Sequence, residues 1–158
     1  MSELRVPTRA LDAHVFCADG REFRGRIFVP EMSMTHDGLM RAIELLNDKT
    51  AFFPFQPEEG GAPFLLNKRE ILSLTVDAAA DMTSPADDEA PPTAEARLVL
   101  ECEDRRIEGV LRIDMPERKS RVLDWVNRPE MFMVIQDEGR HHLVQKERIT
   151  RILEVREE

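Results

Sequence analysis

The chain has no tyrosine, one tryptophan and two cysteines among 158 residues. Each scarcity excludes something. With aromatics at 6 % and eight of them Phe, any core must be mainly aliphatic, with Phe as its large filler. Cys17 and Cys102 fit no Cys-x-x-Cys spacing and read as two free thiols of a reducing cytoplasm. No stretch approaches the ~18–20 apolar residues of a membrane span. Glu3, Arg5 and Pro7 stand where a secretory signal needs an apolar run. The expectation is a soluble, cytoplasmic protein without a membrane partner. Phosphate-binding loops, dinucleotide glycine fingerprints and Ser or Cys nucleophile signatures are all missing. No cofactor is expected, and a binding role is favoured over catalysis.

Unpaired positive charge is scarce too. The net charge is -9, with 22 Lys and Arg against 31 Asp and Glu. Residues 77–96 hold six acidic groups and no Lys or Arg, whereas residues 1–76 carry nine basic and eleven acidic groups. Residues 97–158 carry thirteen and fourteen. Phosphate backbones need clustered positive charge, so these totals argue against a nucleic-acid partner. Metal ligands do not converge either. His141 and His142 are neighbours on a strand and point to opposite faces, and His14 and Cys17, three apart, have the same problem. Zinc takes about four ligands, and no metal site is expected.

The acidic stretch 77–96 contains three prolines, and Met82 is its one large apolar group. Such a segment buries too little to offset the entropy of ordering, and it reads as a disordered linker. It divides the chain into units 10–76 and 97–156.

The two units can be laid over each other. Gly25 falls on Gly109, with Phe23, Ile27 and Val29 on Ile107, Leu111 and Ile113. Arg41, Glu44 and Asn47 fall on Arg121, Asp124 and Asn127, so both read Arg-x-x-acid-x-x-Asn. Ala51-Phe52-Phe53-Pro54-Phe55 falls on Met131-Phe132-Met133-Val134-Ile135, and Asn67-Lys68-x-x-Ile71 falls on Gln145-Lys146-x-x-Ile149. The offset drifts from 84 to 80 to 78 between blocks, where loops absorb length changes.

Each unit reads as β-β-α-β-β-β. The first strand spans about 13–18 and ends at the Asp19-Gly20 turn. The second alternates Phe23, Gly25, Ile27 and Val29 with Arg24, Arg26 and Phe28, a period of two. The shared glycine predicts a bulge or a close backbone approach. A short helix follows, capped by Asp37 or Ser120 and carrying Leu39, Ile43 and Leu46, or Leu123 and Val126. The third strand is apolar on both faces, which predicts burial on both sides. Pro54 lacks a donor and predicts an edge or a bulge there. The last two strands fall near 64–67 with 71–76, and near 142–145 with 149–155. The fold class is α+β, mainly β: two tandem units, small barrel-like or sheet-plus-helix. A unit of about 60 residues is marginal alone, so the two are expected to pair about a pseudo-twofold axis.

Candidate partner-binding or ligand-binding residues follow from the repeat. Arg41 and Arg121 could anchor a partner, or could form surface ion pairs with Glu44 and Asp124. Asn47 and Asn127 suit a left-handed helix cap. Lys68 and Lys146 read as solvated turn lysines, or as a pair gripping an anion across the symmetry axis. Trp125 reads as a packing residue or a binding hot spot.

The block from Gly109 through Asp124, Asn127, Phe132 and Lys146 to Ile149 resembles a family of short, uncharacterised bacterial proteins, a domain of unknown function. The resemblance covers most of the second unit and, more weakly, the first, where Glu44 replaces the Asp and Pro54 interrupts a strand. It implies the repeat and no catalytic residue. A strand glycine with an Asp and an Asn is also similar to Sm-like small barrels, which would imply RNA binding. The helix between Gly109 and Asn127 and the acidic charge depart from that pattern. The leading expectation is a non-enzymatic module that binds another protein, with room for a homo-oligomer. The alternatives are a sensor of a small anionic ligand or nucleotide, and an Sm-like RNA-binding barrel.

Overall fold

The computed structural model describes residues 7–31, 40–81, 94–113 and 121–155, and within them the chain is mainly β. The first half holds β1 (Thr8–Cys17), β2 (Glu22–Pro30), α1 (Ala42–Asn47), β3 (Phe52–Pro57), β4 (Phe64–Asn67), a 3-10 turn at Lys68–Glu70 and β5 (Ile71–Asp77). After α2 (Ala78–Asp81) come β6 (Ala94–Cys102), β7 (Arg105–Ile113), α3 (Val122–Val126), β8 (Phe132–Asp137), β9 (Arg140–Gln145), a 3-10 turn at Lys146–Arg148 and β10 (Arg151–Val155). The expected caps Asp37 and Ser120, with Leu39, lie outside the described residues.

All ten strands join in one open antiparallel sheet, in the order β10-β6-β7-β8-β9-β5-β1-β2-β3-β4. β5-β1-β2-β3-β4 and β10-β6-β7-β8-β9 therefore run in the same sense. A twofold axis would bring the same strand of each half to the seam. The seam instead joins the fifth strand of the first half to the fourth strand of the second, through Ser73↔Val144, Leu74↔Leu143, Thr75↔His142, Val76↔His141 and Asp77↔Arg140. This is a head-to-tail contact, and it replaces the expected pseudo-twofold arrangement.

Local sequence explains two close backbone approaches between strands. A Cβ on Gly25 would lie 2.0 Å from the Gln56 carbonyl oxygen, and one on Gly109 would lie 2.3 Å from Ile135 Cγ2 and 2.6 Å from the Gln136 oxygen. Both glycines thus permit a close backbone approach as β2 crosses β3 and β7 crosses β8. The β8–β9 hairpin turns through Glu138 (φ 46) and Gly139 (φ 78), the paired positive values of a tight two-residue connection.

Both ends of the spacer expected over 77–96 lie in ordered elements. Asp77 ends β5, Ala78–Asp81 form α2, and Ala94 opens β6, while 82–93 lie outside the described residues. Tertiary bonds override the composition here: Ala78 N–H donates to Gly139 O at 2.8 Å, and the Asp81 carboxylate is hydrogen-bonded inside the protein.

Two cores lie along the sheet, and each borrows from the other half. Phe132 and Leu143 of the second half complete the first core, around Val15, Ile27, Leu46, Phe53 and Phe55. Leu72 of β5 enters the second core, with Leu98, Leu100, Leu111, Ile135 and Val144. Burying such a side chain contributes about 1.5–3 kcal/mol, so the seam is part of the stability of both halves.

The third strands differ. In β8, Phe132, Met133 and Ile135 are all buried, as two-sided apolarity predicts. In β3, Phe53 and Phe55 are buried but Phe52 is 51 % exposed. Pro54 does not place β3 at an edge, since β4 lies outside it. The ladder to β2 runs only from Phe55 to Pro57, so no β2 partner faces Pro54.

Candidate functional site

α1 packs against β8, and the space beside this contact is a cavity of ≈ 450 Å³. That size suits a small ligand. Ile43 from α1 and Val110, Leu111, Phe132, Met133 and Val134 from β7 and β8 give it apolar walls. Trp125 of α3 closes one side. Four cations surround it: Arg41 at the start of α1, Arg112 on β7, Arg128 after α3, and Lys146 after β9. The carboxylates are Asp81 and Glu130. Two basic groups are thus in excess around a cavity in a strongly acidic chain.

Most of these groups are held in place. Arg128 lies over the Trp125 ring at 4.3 Å and donates to Glu130 Oε1 at 3.1 Å. Lys146 Nζ donates to Arg128 O at 2.9 Å. Burial pulls the Lys146 ammonium below its ordinary value, with Arg128 adding to the shift and Glu130 opposing it. Asp81 is 1 % exposed. It accepts from Ala42 N–H at 2.8 Å and lies 2.7 Å from His141 Nδ1. Arg9 donates to the carbonyls of Met40 (2.6 Å), Asp81 (3.1 Å) and Ala80, and stands 4.0 Å from Asp81 Oδ1. Burial lowers the Arg9 value and Asp81 opposes the shift. One buried carboxylate therefore ties α2, α1 and β9 together beside the cavity.

The structure divides the sequence-derived candidates. Arg41, Asn47, Trp125 and Lys146 line the cavity together. Glu44 accepts from the Arg41 N–H at 2.8 Å, which fastens the first turn of α1. Asn47 bonds the backbone of Phe132. Arg121 and Asp124 form the exposed ion pair, 3.0 Å from Nε to Oδ2, away from the cavity. Asn127 caps its own helix through Leu123 O at 3.0 Å, with φ -88 rather than the left-handed value, and Asn47 is the last residue of α1 itself.

Lys68 overturns both readings made of it. It is 2 % exposed, so it is not a solvated turn lysine. Its ammonium donates to Leu45 O (2.7 Å), Asp48 Oδ1 (2.6 Å) and Thr50 Oγ1 (2.8 Å), which uses all three donors inside the protein. It therefore does not grip a ligand with Lys146.

Sequence reasoning missed Arg112, Arg128, Asp81, His141 and Gln145. Asp81 lay in a stretch whose composition read as unfolded. In the sequence His141 reads only as one of two divergent histidines, and among the described residues no group of His, Cys, Asp and Glu is placed to hold a metal. Gln145 was visible as a repeat match. It is 1 % exposed and spans the seam, donating to Lys68 O (3.2 Å), Arg69 O (3.1 Å) and Ile71 O (2.7 Å). Among the described residues, no helix is long and apolar enough to cross a membrane.

Comparison with known proteins finds no matching family model, no matching curated protein and no matching solved structure.

Proposed function

We propose that the chain is a non-enzymatic binding module whose ligand is a small anion with an apolar or aromatic part, held between α1 and the β7–β8 strands. One observation carries the reading: Arg41, Arg112, Arg128 and Lys146 gather around apolar walls in a chain of net charge -9. Asp81 already accepts hydrogen bonds from within, which reduces its repulsion of an anion. Charge-assisted bonds in a partly dry site are stronger than in water. Trp125, with Arg128 stacked on its ring, adds an aromatic wall. Because α1 belongs to the first half and β7–β8 to the second, a ligand here would strengthen the contact between the halves, which suits a sensor.

Thermal melting with mono- and dinucleotides and with di- and tricarboxylates tests this. At least one probe should raise Tm, because a ligand of the folded state alone stabilises it. Arg112→Ala and Arg41→Ala should remove the shift. No shift with any probe, or a shift that survives both substitutions, overturns the reading.

A second reading, a protein-binding module, is favoured by exposed Phe52, Leu65 and Val155 on and beside the outer strands. Two further proposals accompany these. The halves descend from one duplicated unit of the short bacterial family that the second half resembles, which the shared strand order supports. The protein works in the cytoplasm, which fits two buried, unpaired thiols.

A further inference from the structure

We propose that a second copy of this chain docks head to tail on the free edges of the sheet. β10 of one copy would pair antiparallel with β4 of the next, repeating between chains the contact that β5 and β9 make within one. This inference is independent of the cavity.

Among the described residues, β10 and β4 each have a neighbour on one side only. They are the counterparts of the two strands that meet at the internal seam. β10 stands in the second half where β5 stands in the first, and β4 stands where β9 stands. Aligning Asn67-Lys68 with Gln145-Lys146, and Ile71 with Ile149, carries the seam register over. Ser73↔Val144, Leu74↔Leu143 and Thr75↔His142 become Arg151↔Leu66, Ile152↔Leu65 and Leu153↔Phe64 between copies.

Exposure points to the same place. Among the described residues, the large apolar side chains left strongly exposed are Phe52 (51 %), Leu65 (66 %), Leu123 (61 %) and Val155 (44 %). The counterpart of Phe52 is Phe132, and that of Leu65 is Leu143. Both counterparts are buried, at 2 % and 0 %, because the other half covers them. The counterpart of Leu123 is Ile43, which packs against the first core beside the other half. Val155 sits on β10 itself. The β3–β4 end thus displays Phe52 and Leu65 at positions that the internal contact buries. β4 reads Phe64-Leu65-Leu66-Asn67 and carries neither the charge nor the proline that usually protects an edge strand. Asn127 is the counterpart of Asn47 and would face the backbone of Phe52 in the neighbouring copy, as Asn47 faces Phe132.

The contact is heterologous, so each added copy leaves one β4 and one β10 open. Association then continues past the dimer until a ring closes or a fibre grows.

Sedimentation equilibrium of the full chain, over a concentration series at physiological salt, tests the proposal. The expected result is a mean mass that exceeds a dimer and rises with concentration. A monomer throughout overturns it. Leu65→Arg blocks one edge, and Leu153→Arg with Val155→Arg blocks the other. These side chains lie outside the buried core, so both variants should still fold and melt cooperatively, lacking only the stabilisation that association adds. Each should be monomeric alone, and equimolar mixing should give one heterodimer, because each retains the edge that the other has lost. Self-association of either variant alone, or no heterodimer from two folded variants, overturns the head-to-tail arrangement.

Discussion

The side-chain amide of Asn47 brackets the backbone of Phe132. Nδ2 donates to Phe132 O at 3.2 Å, and Phe132 N–H donates to Oδ1 at 2.8 Å. The last residue of α1 thereby acts as one further rung at the start of β8. It satisfies a part-buried donor and acceptor, and it holds the backbone of Phe132, whose ring completes the first core.

Asn47→Ala therefore leaves a part-buried N–H and C=O without partners. Unmet groups of this kind cost about 1–3 kcal/mol. Urea unfolding should show that loss, and Asn47→Asp, which keeps the acceptor alone, should fall between the variant and wild type. Asn127→Ala, which removes only an exposed bond to Leu123 O, should cost under about 1 kcal/mol.

Lys68 and Lys146 occupy matched positions with different surroundings, so the same substitution separates them. Lys68→Met leaves Asp48 and two further acceptors without their buried cation. Breaking a buried pair costs about 3–5 kcal/mol, and because Asp48 is partly exposed about 2–3 kcal/mol is expected here, a drop in Tm of about 4–10 °C. Burial raises the Asp48 carboxyl, but the bonds from Lys68 and Thr50 outweigh it and hold the group below the usual carboxylate range. Removing Lys68 should move the Asp48 titration upward, as followed by NMR. The wild-type contribution is present above about pH 4 and is lost as acid protonates Asp48. Lys146→Met should change stability little and weaken anion binding instead.

The thiols give an alkaline signature. Burial pushes Cys102 up to about 11, with Arg105 opposing and Glu103 adding, and burial with Asp19 also raises Cys17. A thiol raised in the folded state contributes stability that is complete below its unfolded value and is lost as pH rises through the folded one. Stability should thus decline between about pH 9 and pH 11. Cys102→Ala should flatten that decline. An aromatic disulfide reagent at pH 8 should label neither thiol until denaturant is added, and rapid labelling of native protein would refute their burial.

Much of the scaffold was legible in local pattern. The period of two in Phe23–Val29 and Ile107–Ile113 marked β2 and β7, because alternation is fixed by the pleat. The glycines at 25 and 109 announced a close approach, and the repeated Asn/Gln-Lys pairs marked the 3-10 turns. The cavity was only half legible. Arg41, Asn47 and Lys146 stand out by repetition and Trp125 as the lone tryptophan, whereas Arg112 and Arg128 carry no spacing that distinguishes them from other surface arginines. Asp81 was concealed by its neighbours, since a segment's composition reports its average tendency to order and takes no account of one carboxylate finding a buried histidine.

By itself, then, the sequence determined which segments extend, which coil, and where each half begins its pattern, because these follow from backbone sterics and from short-range alternation of apolar and polar groups. Only the tertiary structure decided that β5 meets β9, that Lys68 is enclosed, and that Asn47 reaches Phe132. Those contacts join residues 60 to 80 or more positions apart in number, or turn one of two similar lysines inward. Their free energy comes from pairing and desolvation between distant surfaces, and no local period records which surfaces will meet.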